Sequence, residues 1–432
     1  MKRYFFILLV AVAFIISCTK QKRITAPADY NAFLKKGIIK QEAEKVNAEL
    51  SFWQQRLQKD TGNFVDMLKM ASRHLHLFRM TGNVADLKLG DSLLKRSDSK
   101  LKNTDPDILH ALSQNSITQH RFHDADLYNT TAVKAGSDLY TTCLLEFDAG
   151  MELGTYRDAS QKLEQLVDKS SFDYLIRKAK LEDHRGNLDK AIILMEQAFE
   201  KIKNRNQSLY CWTLSNLADM YGHAGKIDQA YKAYLTVLQK DNSFLYALKG
   251  IAWIAYSHDK NSKEAKRILH YLLLQTKMPD LYLMLAELEE FDGNENKKME
   301  YLLQFLADVE RPEYGDMYNK YLIHIYTEEI KDYDKALALA EKEINNRPTP
   351  ETHSWLAWVY YNKGDNSKAF TIAKNYVNKQ NFEPDAVLNT ALIYTANGKK
   401  AEARKMLKEC LSASFEIGPV KTKFVQEQLD KL

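Results

Sequence analysis

The residues best able to do chemistry are few, and their spacing settles most of them. His120 and His123 stand three apart beside Asp124 and Asp126. On one helix the two imidazoles would share a side and could begin a zinc site, but no third ligand has matching spacing. His74 and His76 are two apart and diverge. The acidic pairs Glu289-Glu290 and Glu328-Glu329 are adjacent, so on a helix their carboxylates point apart and cannot share a proton. Gly398-Lys399-Lys400 has the look of a phosphate loop. However, Ile393 occupies the position where the leading Gly belongs, and no Ser or Thr follows the Lys. No Ser or Cys has the local setting of a nucleophile. The sequence therefore gives no enzyme, metal or cofactor reading. Cys143, Cys211 and Cys410 fit no metal spacing and read as buried thiols, with one disulfide as the alternative.

One cysteine has a chemical context. Lys2 and Arg3 precede an uninterrupted apolar run over residues 4–16, which is too short to span a bilayer and has the flanks of a signal peptide. The run Ile15-Ile16-Ser17-Cys18 resembles a bacterial lipoprotein box. That resemblance implies cleavage before Cys18 and acylation of its thiol and amine; a plain secretory signal is the alternative. Several acyl chains, at about 0.8 kcal/mol per buried CH₂, anchor a protein durably. The expectation is a signal peptide over residues 1–17 and a tether over 18–40, ending in a short ordered piece near Tyr30. The anchor would lie in the cell envelope, with Thr19 rather than Asp after the Cys favouring the outer membrane. Without Lys2 and Arg3, the 61 basic residues become 59 against 57 acidic, a near balance that gives no reason to expect nucleic acid.

The elements that must position everything else repeat. Residues 208–238 put Leu214, Leu217, Ala218 and Tyr221 on one helical face, then Ala230, Tyr234 and Val237 on another, with Gly225 between. Gly stands five residues before Ala at 154/159, 186/191, 225/230, 364/369 and 398/403. Ala residues at 125, 159, 191, 230, 265, 336, 369 and 403 form a ladder with a period near 34, allowing one insertion and one degenerate unit around Leu285. Large, small and aromatic residues in the first helix, Gly at the turn, then small and aromatic residues in the second resemble the tetratricopeptide repeat. That implies an all-α fold, an α-α superhelix of about nine to ten hairpins over residues 41–415, closed by a polar capping helix over 416–432. A hairpin this small cannot hide its own apolar face, so stacking must supply the stability.

The resemblance also implies a groove lined by the first helix of each pair. Carrying the family's contact slots onto this chain gives Trp212, Asp219 and His223 in one repeat and Tyr246, Lys249, Trp253 and Tyr256 in the next. Two later repeats supply Lys320, His324 and Glu328, then Glu351, Trp358 and Tyr361. Of these, the aromatic and imidazole residues with Asp219 are the candidate ligand contacts. His184 and His223 share a slot near a helix end, where an imidazolium would offset the helix dipole. The functional expectation is a membrane-anchored scaffold binding a protein or peptide segment. The alternative resemblance is to outer-membrane glycan-binding lipoproteins that work with a transporter.

Overall fold

A computed structural model describes residues 23–432; the signal peptide expected over residues 1–17, and Cys18, lie outside the described residues. Helix starts are set by short polar side chains. Asn63 Oδ1 accepts from the Val65 and Asp66 amides at 3.1 and 3.2 Å, and Asp105 does the same for Asp107 and Ile108. Thr349 and Thr352 cap each other reciprocally around Pro350. Each such cap stabilises its helix by about 1 kcal/mol.

Helix ends explain why the Gly ladder has gaps. Gly154, Gly186, Gly225, Gly364 and Gly398 all have positive φ. Where the ladder lacks Gly, another residue takes the left-handed conformation. His120, Lys260 and Lys331 have φ of 56°, 55° and 63°, each five residues before Ala125, Ala265 and Ala336. The turn geometry is thus demanded by the hairpin and imposed on side chains that disfavour it. His120 consequently sits in a turn, while His123 lies in the following Phe122–Lys134 helix. The two do not face one side of a common helix, which removes the geometry of the zinc pair.

The described residues contain ten helical hairpins and no strand, running from Phe64–Thr81 with Val84–Lys100 to Pro384–Ala396 with Lys400–Ser412. This is a tetratricopeptide-type α-α superhelix. Ala218 and Ala230 are fully buried where the Gln207–His223 and Ile227–Lys240 helices approach, with Tyr234 and Val237 beside them. The Val84–Lys100 helix includes Ser97, so the connection to the next hairpin begins only after Lys100. Cys143, Cys211 and Cys410 are free and buried. Burial pushes the Cys211 thiol up to about 11.

The rotation from hairpin to hairpin brings the first five units onto the segments six further on. Lys277 N donates to Thr81 O at 2.6 Å, and Asn346 Nδ2 donates to His120 O at 3.0 Å. Gly154 meets Thr349, Gly186 meets the Phe382 ring, and Gly222 meets Phe415. Arg347 fastens one of these joints. It is 9% exposed, pairs with Glu343, Glu351 and Glu152 at 3.3–3.7 Å, and lies over the rings of Phe122 and Trp355.

Both ends of the described chain differ from expectation. The tether reading fails from Ile24 onward. The Ile24 and Thr25 amides donate to Asp259 at 3.0 and 2.9 Å, and Tyr30 is fully buried with its hydroxyl on Glu264. The last helix, Ser414–Asp430, is broken at Gly418 (φ 74°, ψ 169°). Its later part buries Val425 against the final hairpin, as a cap would. Its first part keeps Ile417 in that hairpin's core but carries Phe415 to the concave side of the superhelix, against Gly222.

Candidate binding groove

The inner wall is built by the first helix of each hairpin, and three adjoining concavities of about 300, 410 and 330 Å³ run along it. The first lies between hairpins that follow one another and the returning C-terminal segment. Six carboxylates face it: Asp280, Glu287, Glu351, Glu383, Asp385 and Glu416. Lys249, Lys320 and Lys421 are the ammonium groups there, joined by His324. The groove is thus charged, with an acidic excess, more than it is aromatic.

Its charges are arranged by the repeat. Lys249 bonds Asp280, and Lys320 bonds Glu351 at 3.3 Å, each pair 31 residues apart. Tyr256 donates to Glu287 at 3.0 Å with the same spacing. One slot on each first helix therefore ties to a neighbouring slot on the next. Lys421 reaches in from the C-terminal segment and bonds Asp385 at 2.7 Å. Burial raises the Asp385 carboxyl, but Lys421 outweighs it and holds the group below its ordinary value. Other carboxyls have less help. Burial pushes Glu287 up to about 7, against the pull of Lys421 and the Tyr256 hydroxyl. Burial also pushes Glu416 up to about 7, opposed by His223. Glu383 is raised by burial too.

The sequence-derived candidates divide on this wall. Asp219, His223, Tyr246 and Trp253 come together around the second concavity, and His324 faces the first. Asp219 accepts from the Tyr234 and Tyr246 hydroxyls, and burial raises its carboxyl despite them. His223 Nδ1 stands 3.8 Å from Glu416, so it faces the returning segment. Its slot-mate His184 instead lies against Tyr156, the ring centroids 3.9 Å apart and the planes tilted by 33°. Trp212 lies apart from this cluster, 41% exposed and edge-on to Phe172.

Two candidates are corrected outright as contact surfaces. Tyr256 is 1% exposed and Trp358 8%. Trp358 donates its indole N–H to Glu328 at 2.7 Å and stacks on Tyr361 at 5.1 Å, so both rings of that pair are committed to the wall. Their slots do face inward, but the crossing between helices leaves them roofed.

Sequence reasoning passed over the ion ladder although the slots already held Lys249, Lys320 and Glu351. A Lys followed 31 residues later by an acid at the next repeat's slot was the available signal. It also missed the C-terminal segment, for which the pattern offers no marker beyond Gly418-Pro419.

No family model matches the chain, and no curated protein matches it. Solved structures do resemble it. A tetratricopeptide repeat protein from Parabacteroides merdae ATCC 43184 is 17% identical, with a TM-score of 0.36 over 61% of this chain and 98% of that one. A Rap protein complexed with Competence and Sporulation Factor is 14% identical, with a TM-score of 0.45 over 76% and 99%. The APC/C hetero-tetramer Cut9–Hcn1 gives 13%, 0.33, 94% and 96%.

Proposed function

We propose that this chain is a membrane-anchored interaction scaffold of the cell envelope that holds a segment of another protein in its inner groove. The observation that carries the reading is that the groove already holds polypeptide. The carbonyl of Phe415 is taken by Trp253 Nε1 at 3.0 Å and Ser257 Oγ at 2.6 Å, so the wall presents donors suited to a peptide backbone. The anchor rests on the residues before and at Cys18. The glycan alternative would need open, flat rings, whereas Trp358 is buried and the Trp253 indole N–H is engaged.

A photo-reactive residue at Tyr321, 40% exposed and lining two concavities, tests the groove inside the intact envelope. The expected result is one reproducible protein adduct that is missing when the probe replaces Leu274, which is 73% exposed. No adduct, or the same adduct from both positions, overturns the groove reading. Labelled palmitate should enter the wild-type chain and not Cys18→Ser; equal labelling overturns the anchor.

A further inference from the structure

Resting on that groove reading, we propose that residues 414–421 occupy the docking element as the chain's own stand-in for its partner. The partner class is then a protein segment with an aromatic residue, a glycine-allowed turn and a cation about six residues on, and its binding displaces the resident segment.

The residues define the recognition. The Phe415 ring lies so close to Gly222 that a Cβ there would fall 2.6 Å from Cε1. Only a bare backbone at 222 admits the ring. The Phe415 carbonyl then meets Trp253 and Ser257. Ser257 reaches it from the π-helical turn Ile254–His258, which interrupts the first helix of that hairpin. Such turns re-aim side chains out of the regular helical register. Gly418 passes over the Trp253 and Tyr256 rings; a Cβ would come 2.5 Å from Glu287 Oε1 and 3.3 Å from Trp253 Cη2. Lys421 closes the set on Asp385.

Three features separate this arrangement from ordinary core. Concavities of about 300 and 410 Å³ remain on either side of the segment, where a core closes to near crystal density. Glu416 rides into a wall that already carries Glu383 and Asp385 and meets His223 there at 3.8 Å, so the resident segment adds a further carboxyl to the acidic side. Finally, the helix beyond the break is secured separately by Val425, Leu429 and Leu432 against the last hairpin, while Ile417 is the one side chain of the segment that enters the same cluster. The segment gives up that contact on leaving, but its anchor beyond the break stays seated. A partner segment that lacks the acidic residue after its aromatic adds no such carboxyl and fills the same contacts.

The test uses the full chain and a fluorescein-labelled peptide spanning residues 411–423. Phe415→Ala with Lys421→Ala should release the resident segment, and anisotropy should then show binding at least tenfold tighter than to the unmodified chain. Adding Gly222→Ala to the released variant should weaken binding at least tenfold, because the methyl takes the ring's place. Amide hydrogen exchange on the released variant should quicken over residues 414–421, while residues 384–412 keep their protection. Equal peptide binding by released and unmodified chains overturns the proposal, as does indifference to Gly222→Ala. Loss of protection through residues 384–412 also overturns it, since the segment would then be part of the fold. Dimerisation of the released variant would instead make a second copy of the chain the occupant and overturn the hetero-partner assignment. Failure here with a persistent Tyr321 adduct in the envelope leaves the scaffold reading standing and removes only the stand-in.

Discussion

Replacing Gly250 by alanine sets two opposing effects against each other, and the structure decides the sign. Gly250 lies in the first helix of its hairpin, Tyr246–Trp253, where alanine is favoured over glycine by about 1 kcal/mol. Yet the Tyr234 ring from the preceding hairpin lies flat on that bare backbone. An added Cβ would come 2.6 Å from both Cε1 and Cε2. The ring has nowhere to go, being 4% exposed with its hydroxyl bonded to Asp219. Overpacking of this kind costs about 1–3 kcal/mol. Pulling the hydroxyl away would strand one oxygen of the half-buried Asp219 carboxyl, the other being held by Tyr246, for another ~1–3 kcal/mol. The net expectation for Gly250→Ala is a loss of about 1–5 kcal/mol. Urea unfolding followed by far-ultraviolet circular dichroism measures it. The double variant with Tyr234→Leu should recover most of the Gly250→Ala penalty, because the ring is gone. A higher urea midpoint for Gly250→Ala alone would refute the reasoning, as would identical penalties with and without the ring.

Arg347→Ala should open the joint between units six apart: loss of a paired buried cation costs about 3–5 kcal/mol, and small-angle scattering should report a larger radius of gyration; an unchanged radius sinks this. Asp259→Ala removes the acceptor for Ile24 N, Thr25 N and Thr25 Oγ1, so residues 24–34 should become open to protease while the hairpins resist; unchanged cleavage counts against the docked N-terminal segment. Glu287 and Glu416 have pKa values raised to about 7 from an ordinary 4.5, so the stability they contribute is full below pH 4.5 and is lost as pH rises through 7. A tenfold change in proton affinity is worth about 1.4 kcal/mol, and hydrogen exchange over residues 414–421 should accelerate beyond its intrinsic dependence between pH 5 and pH 8, with Glu287→Gln plus Glu416→Gln flattening the response.

The helical fold was legible because its causes are local. Ala218, Ala230 and their counterparts must be small wherever two helices touch, and that requirement repeats in plain view. The left-handed turns at His120, Lys260 and Lys331 were less visible, since only their distance from the following Ala betrays them. Gly222 and Gly250 carry no sequence signal beyond being glycines inside helices. Their role depends on rings arriving from Phe415 and Tyr234, and the first of these comes from almost the far end of the chain. Contacts six hairpins apart accumulate from a small rotation at each step, and no pair of residues encodes that sum. The groove's aromatic residues were found, but the spacing could not say which would be roofed by neighbours.

The hairpin spanning residues 246–275 receives both ends of the described chain: Asp259 holds Ile24 and Thr25, while Trp253 and Ser257 hold Phe415. Most repeat arrays can set solid in the order they are made. Here the midpoint cannot. At ribosomal speeds of about 5–20 residues per second, Trp253 waits roughly 10–30 s for the last of its neighbours to be synthesised. Through that interval an unfinished indole-lined notch faces whatever else is passing, which makes the centre of this chain, and not its tips, the place a chaperone would have to guard.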